Sequence, residues 1–402
     1  MDPIIELEDR YCAHNYHPLP IVLVRGEGAY LWDNHGRPYL DMMSAYSAVS
    51  HGHQHPRLVL ALIEQAKQLA VVSRAFHTEH LGALMQKLCS VTGMDRGLPM
   101  NTGAEAVETA LKAARKWAYQ VKGIARNKAE IVVCDGNFHG RTITIVGFSS
   151  EEQYREGFGP FAPGFISIPY GDADALAEAI TDKTAAFLVE PIQGEAGIIV
   201  PPKGYLKRCE EICRRHQVLL ICDEVQTGLG RTGRLLASEH EGVHPDAVIL
   251  GKALGGGLLP VSAVLGRREL MDVFKPGDHG STFGGNPLAC AVALEALRVL
   301  EDEDLVARSS QLGGYFMEKL QRIDSPLIKD RRGMGLFIGV EFDSRKVSAR
   351  TVCERLMAKG VLSKETHETV VRFAPPLIVT EEQIDFAVEM LKQVLAELNE
   401  ER

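Results

Sequence analysis

Lys252 stands in VILGKALGGGLLP, directly after a short apolar run and just before three consecutive glycines. Leu250, Ala253 and Leu254 around it would strip water from an ammonium. Desolvation lowers a lysine pKa and frees the amine as a nucleophile, which is what a Schiff base requires. Gly255, Gly256 and Gly257 would let backbone approach a bulky bound group. The plainer reading is a solvated lysine at a strand end. Asp223 closes VLLICD in the same fashion. A carboxylate there either caps local backbone or faces a buried cation, and a pyridinium nitrogen is one such cation. AFLVEPIQGEAG (186–197) adds Glu190 at the end of an apolar run and Glu195 in a glycine-rich turn. These two fit an acid/base pair, a metal site or two unrelated structural charges. The segment Asn101-Thr102-Gly103-Ala104-Glu105 opens a helical period, so its first N–H groups and helix dipole favour a phosphate, or else mark an ordinary capped helix.

Three other patterns imitate functional sites. GLGRTG (228–233) fits G-x-G-x-x-G, follows a strand and has Asp246 downstream. Asp223 and Glu224 just before it would oppose a pyrophosphate, so the match is a weak sign of a dinucleotide site. HGHQHP (51–56) offers three alternating histidines without a carboxylate-rich partner segment. Cys209, Cys213 and His216 fall on one helical face, where a small buried stripe explains them as well as a metal does. There is no P-loop, G-x-S-x-G elbow or H-E-x-x-H helix.

The strands EIVVCD, AFLVE, VLLICDE, AVILG and SAVLG are short and almost continuously apolar, which suits parallel strands covered by helices on both faces. AEAVETALKAARKWAYQ (104–120) has a strong helical period that Thr102 can cap. Residues 21–41 alternate about the turn signal Asp33-Asn34-His35-Gly36, a small β-hairpin unit. The expected division is an N-terminal segment with this β-unit (1–55), a large α/β domain (56–295) and a smaller C-terminal α/β unit (296–402), with the small domain built from both chain ends. In open α/β sheets ligands gather beyond the carboxyl ends of strands. That rule selects Glu190, Asp223, Glu224 and Lys252.

Bulk properties set outer bounds. The 402 residues are 45% hydrophobic and 24% charged, enough for a large core. A net charge of −9 argues against nucleic acid, and no apolar run approaches the roughly 20 residues that span a bilayer. MDPIIELEDRYC carries neither an apolar signal core nor an Arg-rich transit pattern, so the expected address is the cytoplasm. The eight scattered cysteines then read as reduced core residues.

Taken together, the motifs resemble one family. HNYHPLP, LWDNHGRPYLD, SAYSAVSHGH, SRAF, MNTGAEAVETALK, GNFHGRT, EPIQGEAG, DEVQTGLGRTGR, LGKALGGGLLPVSAV, HGSTFGGNPL and VRFAPPL occur in the order of the fold-type I pyridoxal-phosphate enzymes of aminotransferase class III, over about residues 14–377. The resemblance implies an α/β fold with a large, mainly parallel seven-stranded sheet and a smaller α/β domain. It implies pyridoxal 5'-phosphate held covalently by Lys252, with Asp223 on the ring nitrogen and Gln226 on the phenolic oxygen. Phe138 and Val225 would enclose the ring, and Gly103 and Ala104 would take the phosphate. Thr282 would reach the phosphate of a neighbouring subunit, which implies a homodimer with shared sites, alone or in a larger assembly.

Within the family the pattern is most similar to the branch that moves the terminal amine of L-ornithine to 2-oxoglutarate or another 2-oxo acid. The products there are glutamate-5-semialdehyde, which cyclises to pyrroline-5-carboxylate, and glutamate. On that resemblance Tyr16 and Arg141 meet the distal carboxylate of ornithine and Tyr46 shapes the pocket. Arg372 takes the carboxylate of glutamate, and Glu195 covers Arg372 until an α-keto acid displaces it. The alternatives are N-acetylornithine or 4-aminobutyrate as amine donor within the same class, a dinucleotide-dependent oxidoreductase using GLGRTG, and a non-catalytic binding relative.

Overall fold

The computed structural model describes residues 2–401. Its central sheet has seven strands in the order Arg96–Met100, Ser262–Gly266, Ala247–Leu250, Leu219–Asp223, Thr184–Val189, Glu130–Cys134 and Phe165–Ile168. From Ala247–Leu250 to Phe165–Ile168 every pairing is parallel. Thr184–Val189, Leu219–Asp223 and Ala247–Leu250 are buried at every position. Their continuous apolar sequence follows from having both faces covered. One face meets the helix Gly103–Trp117, whose Val107, Ala110 and Ala114 pack with Leu188, Ile221 and Ile249. The other meets Tyr205–Arg215, whose Cys209, Ile212 and Cys213 join Phe187, Leu220 and Cys222.

SAVLG departs from the expectation of a parallel strand. Ser262–Gly266 runs antiparallel to both of its neighbours. The preceding connection holds only a short 3-10 turn, Lys252–Gly255. A parallel return needs a crossover of a dozen or more residues, usually a helix, so the chain turns straight back instead.

The chain ends build two smaller sheets. Leu23–Glu27, Tyr30–Asp33 and Pro38–Asp41 form an antiparallel set, to which Val361–Leu362 adds in parallel. The turn signal at Asp33 works as the residue types suggest: its Oδ1 accepts from the N–H groups of His35 and Arg37 at 2.9 and 2.8 Å, and Gly36 takes φ +81°. The second sheet is antiparallel, in the order Ile328–Met334, Phe337–Phe342, Val370–Phe373, Lys364–Thr366. Long helices at Leu305–Gln321 and Glu381–Glu400 accompany it.

Between Asp41 and His51 the backbone does something unusual. Ser44, Ala45, Tyr46 and Ser47 all have positive φ, from 43° to 72°. Left-handed backbone costs a residue with a Cβ roughly 1–2 kcal/mol, so four in succession require firm external restraint. Asp41 supplies part of it, with Oδ1 accepting from the N–H groups of Met43 and Ser44 at 2.9 and 2.8 Å. Among the described residues no helix is long and apolar enough to cross a membrane.

Candidate active site

The parallel strands deliver three charged groups to one place. Glu190 follows Thr184–Val189, Asp223 ends Leu219–Asp223, and Lys252 follows Ala247–Leu250 by two residues. All three line a single cavity, together with Glu195 and Gln226. Lys252 itself has φ +44°, a left-handed conformation at the point where the strand gives way to the 3-10 turn. Burial holds its amine below the usual lysine range, although Glu195, Asp223 and Glu190 oppose the shift. A desolvated amine among carboxylates can act as nucleophile and as proton carrier.

Asp223 is held from two sides. Its Oδ1 accepts from the Val225 N–H at 3.0 Å, and its Oδ2 lies 2.7 Å from His139 Nδ1. Burial works against charge on His139, yet the bond to Asp223 and the nearby Glu190 keep its pKa above the usual imidazole value. His139 Nδ1 therefore donates to Asp223, whose side chain lines the cavity.

The cavity wall opposite is the start of Gly103–Trp117. Thr102 and Glu105 form a reciprocal cap: Thr102 Oγ1 accepts from the Glu105 N–H at 3.2 Å, and Glu105 Oε2 accepts from the N–H groups of Asn101 and Thr102 at 2.9 Å. That arrangement leaves the N–H groups of Gly103 and Ala104 free at the positive end of the helix, beside the cavity. A Cβ on Gly103 would lie 3.0 Å from Val225 Cγ1, so a larger residue there would have to press the Val225 side chain aside.

Glu190 and Glu195 have separate surroundings. The Glu190 carboxylate joins two loops, accepting from the Phe138 N–H at 2.8 Å and from the Gly194 N–H at 3.3 Å. Burial pushes its pKa up to about 7, a rise that nearby His139 opposes. Glu195 meets a cation instead: Arg372 Nη1 donates to its Oε1 at 2.7 Å, and Gln226 Nε2 donates to the same oxygen at 3.3 Å. Burial favours the neutral acid, but Arg372, with Lys252 and Gln226 adding, keeps the carboxyl below its usual range. The flanking glycine has a steric cause, since a Cβ on Gly194 would fall 1.6 Å from Gln226 Oε1. Arg372 lies on Val370–Phe373 and is buried, with its Cζ 5.0 Å from the ring centroid of Tyr46.

Of the residues singled out from sequence, Gly103, Ala104, Phe138, Val225 and Gln226 line the cavity beside the charged groups, and Tyr46 and Arg372 adjoin Glu195. Three lie apart from the lining. Arg141 stacks on Tyr154, its Cζ 3.9 Å from the ring centroid. Tyr16 is 74% exposed. Thr282 is exposed in the loop whose Ser281 Oγ accepts from Asn101 Nδ2 at 2.9 Å. Two groups in the site escaped the sequence reading. His139 depends on a partner 84 residues away, so no local pattern reveals it, though it adjoins Phe138 in GNFHGRT. Tyr154, beside the cavity, is likewise marked only by contacts made in the fold: Arg141 sits over its ring and Phe138 meets it edge-on.

The imitations resolve into structure. The histidines 51, 53 and 55 turn to three different partners, the Ala296 carbonyl, Asp41 and Glu303. Cys209 and Cys213 are buried while His216 is exposed, and no metal-binding cluster occurs among the described residues. GLGRTG leads into Ala237–Glu241, a 3-10 turn, and not into a helix that could receive a pyrophosphate.

The chain matches the family model for aminotransferase class III over residues 11–395. It is 58% identical to an ornithine aminotransferase of Brevibacillus brevis, over 98% of each chain. The crystal structure of an ornithine aminotransferase from Toxoplasma gondii, described with partial occupancy of pyridoxal phosphate, superposes with a TM-score of 0.97 at 49% identity, covering 99% of this chain and 94% of that one. An acetylornithine aminotransferase from Elizabethkingia anophelis superposes with a TM-score of 0.89 at 50% identity, covering 98% of each.

Proposed function

This chain belongs to the class-III aminotransferases, and from that premise we infer that it is an ornithine δ-aminotransferase. It transfers the terminal amine of L-ornithine to 2-oxoglutarate, giving glutamate-5-semialdehyde, which cyclises to pyrroline-5-carboxylate, and glutamate. The observation that carries the two-substrate reading is the Glu195–Arg372 pair at 2.7 Å on the cavity wall. A donor that presents its distal amine needs no cation beside the reacting carbon, whereas an α-keto acid does.

The site suits pyridoxal 5'-phosphate. Gln226 Oε1 is a buried acceptor and His139 Nε2 a buried ring nitrogen, both without a protein partner. Gly103 and Ala104 offer two N–H groups at a helix start, and Asp223 offers a carboxyl group as partner for the ring nitrogen. When bound, the cofactor supplies an electron sink that lets one amine be exchanged for another. Lys252 would hold it covalently and afterwards move a proton to and from the substrate carbon. Its lowered pKa makes the free amine more accessible than that of an ordinary lysine. Phe138 and Val225 would bound the ring on its two faces, and Gln226 would face its phenolic oxygen.

For the substrates, Arg141 and Tyr16 would meet the distal carboxylate of ornithine, with Tyr46 as the wall between. Arg372 would bind the carboxylate next to the reacting carbon of glutamate once Glu195 lets go. A charge-assisted arginine–carboxylate contact is strong yet can be exchanged for an equivalent one in the ligand. A homodimer with shared sites accounts for the exposure of Thr282 and for exposed apolar groups on the segments packed around it. Phe283, Val71 and Phe76 are 55%, 44% and 66% exposed, and Leu288 N–H bonds the Ala70 carbonyl to join those segments. A cytoplasmic enzyme is the reading that suits its reduced cysteines. The division 1–55, 56–295 and 296–402 describes one large unit and a smaller one assembled from both ends.

The deciding experiment offers ornithine, N-acetylornithine and 4-aminobutyrate separately to the cofactor-loaded enzyme and follows the loss of cofactor absorbance in a single turnover. Ornithine should react fastest. N-acetylornithine overtaking it would place the chain with relatives such as the Elizabethkingia enzyme.

A further inference from the structure

Among the described residues the largest fully buried side chain is a charged one, Arg231, at 0% exposure. None of its hydrogen bonds goes to a carboxylate. Nη1 donates to the carbonyls of Leu336 and Pro375 at 2.9 and 2.6 Å. Nη2 donates to the hydroxyls of Ser44 and Ser50 at 3.3 and 2.9 Å. One nitrogen thus grips the C-terminal part of the chain and the other grips the segment 44–50. An uncompensated buried cation is expensive unless its hydrogen bonds are well made, so a residue of this kind is kept for what it joins.

What it joins is the left-handed turn Ser44–Ser47 and the chain just beyond Arg372. Ser44 Oγ donates in turn to the Ala374 carbonyl at 2.5 Å, and Ser50 Oγ donates to the Ser47 carbonyl at 3.0 Å. Backbone bonds join the same two segments with the donors on the other side, Ala374 N–H to Met42 O at 2.7 Å and Leu377 N–H to Ser50 O at 2.8 Å. Tyr46 is the third residue of that turn, with φ +60°, and its ring faces Arg372. A turn of four non-glycine residues at positive φ would relax to ordinary backbone if released, and the Tyr46 ring would leave with it.

We propose that Arg231 is a positioning residue for substrate discrimination: its two-handed guanidinium locks the left-handed turn onto the strand end that bears Arg372, and thereby sets Tyr46 as the wall of the amine-donor pocket. The proposal rests on the ornithine aminotransferase reading. Lysine cannot replace this function, because a single ammonium cannot serve both pairs of acceptors at once.

The test compares single-turnover rates with ornithine and with glutamate in Arg231→Lys, Tyr46→Ala and the double variant. Arg231→Lys should lower the ornithine-to-glutamate ratio of kcat/KM about tenfold, the size expected for residues that act through one another. In the Tyr46→Ala background the same substitution should shift that ratio less than about twofold, since the group it positions is already gone. Chymotrypsin digestion of the cofactor-free protein gives an independent readout: Arg231→Lys should open a cleavage site at Tyr46 that the wild type protects. Equal slowing of both half-reactions, full additivity with Tyr46→Ala, or continued protection of Tyr46 would each overturn the proposal. If Arg231→Lys does not fold, Ser50→Ala removes one acceptor while sparing the guanidinium, and it must move the ratio in the same direction by a smaller factor. An unchanged ratio there overturns the idea equally. A wild-type enzyme that prefers N-acetylornithine or 4-aminobutyrate would refute the substrate reading alone, and the ratio test then runs with that donor.

Discussion

Glu195 and Arg372 pair at 2.7 Å on the cavity wall, the carboxylate on a glycine-bounded turn and the guanidinium on a strand of the C-terminal sheet. Arg372 is only 3% exposed. Its charge is therefore neutralised by one group that lies within reach of the substrate. Removing that group as Glu195→Ala should raise the glutamate half-reaction relative to the ornithine half-reaction by roughly tenfold, in keeping with the 1.5–3 kcal/mol of a charge-assisted bond. Single-turnover kinetics with each amino acid measure the ratio, and an unchanged ratio would reject Glu195 as a cover for Arg372.

Lys252 should be the point of covalent attachment. Borohydride reduction of the cofactor-loaded wild type should leave a stable adduct on the peptide that contains Lys252, and Lys252→Ala should lose it. The same variant should also alter the cofactor-free protein. Because burial depresses the lysine pKa, wild-type stability rises as pH increases from that lowered value toward the ordinary lysine range. Lys252→Ala should abolish this rise, which thermal melts across the alkaline range would reveal.

His139 carries a pKa held above the usual imidazole value by Asp223 and Glu190 against the effect of burial. Its bond to Asp223 therefore contributes stability that is full below the ordinary imidazole range, and this is lost as pH rises through the raised value. His139→Asn should melt lower than the wild type at pH 6, with the gap narrowing as the pH climbs. The variant should also bind pyridoxal phosphate roughly 10-fold more weakly, as happens when a group that orients a ligand-bearing side chain is removed. A constant gap in melting temperature would show that His139 is not charged in the folded protein.

The sequence carried most of the site because the site lies where strands end. A carboxylate or lysine that terminates an all-apolar strand is conspicuous, and Glu190, Asp223 and Lys252 are all of that kind. The cap at Thr102 and Glu105 is equally local, and so is the Asp33 turn. What could not be read depends on distant partners. His139 gains its role from Asp223, and Arg231 gains its role from Ser44, Ser50, Leu336 and Pro375. In the sequence Arg231 looks like one letter of a nucleotide-binding motif. The antiparallel direction of Ser262–Gly266 was hidden for another reason: burial on both faces produces the same apolar run in either direction.

Glu190 ties the Phe138 loop to the turn that begins at Gly194, one carboxylate oxygen to each N–H. Glutamine keeps one acceptor and presents a donor to the other N–H. Glu190→Gln should therefore cost about 1–3 kcal/mol at acidic pH, the penalty of a buried donor left unmatched. The wild type, however, has a Glu190 pKa pushed up to about 7 by burial, so it loses stability as pH rises from the ordinary carboxylate range through that value. Glutamine does not titrate. The deficit of the variant should shrink between about pH 4.5 and 7, and urea unfolding at several pH values would show whether it does.

Thr282 is exposed, lies outside the cavity, and sits in a loop tied to Asn101, just before the helix Gly103–Trp117. If it completes the site of a second subunit, two inactive variants should rescue each other. Lys252→Ala disables the site of its own subunit. Thr282→Asp would place a carboxylate against the phosphate in the site of its partner, and like charges at such a distance repel strongly. In a mixed dimer both lesions fall in one site, and the other site receives an intact lysine and an intact threonine. Random reassociation of the two variants should therefore restore about one quarter of wild-type activity, since half the dimers are mixed and each has one intact site. Activity that stays at the level of the separate variants, with mixed dimers demonstrated by a tag on one of them, would mean that each subunit completes its own site.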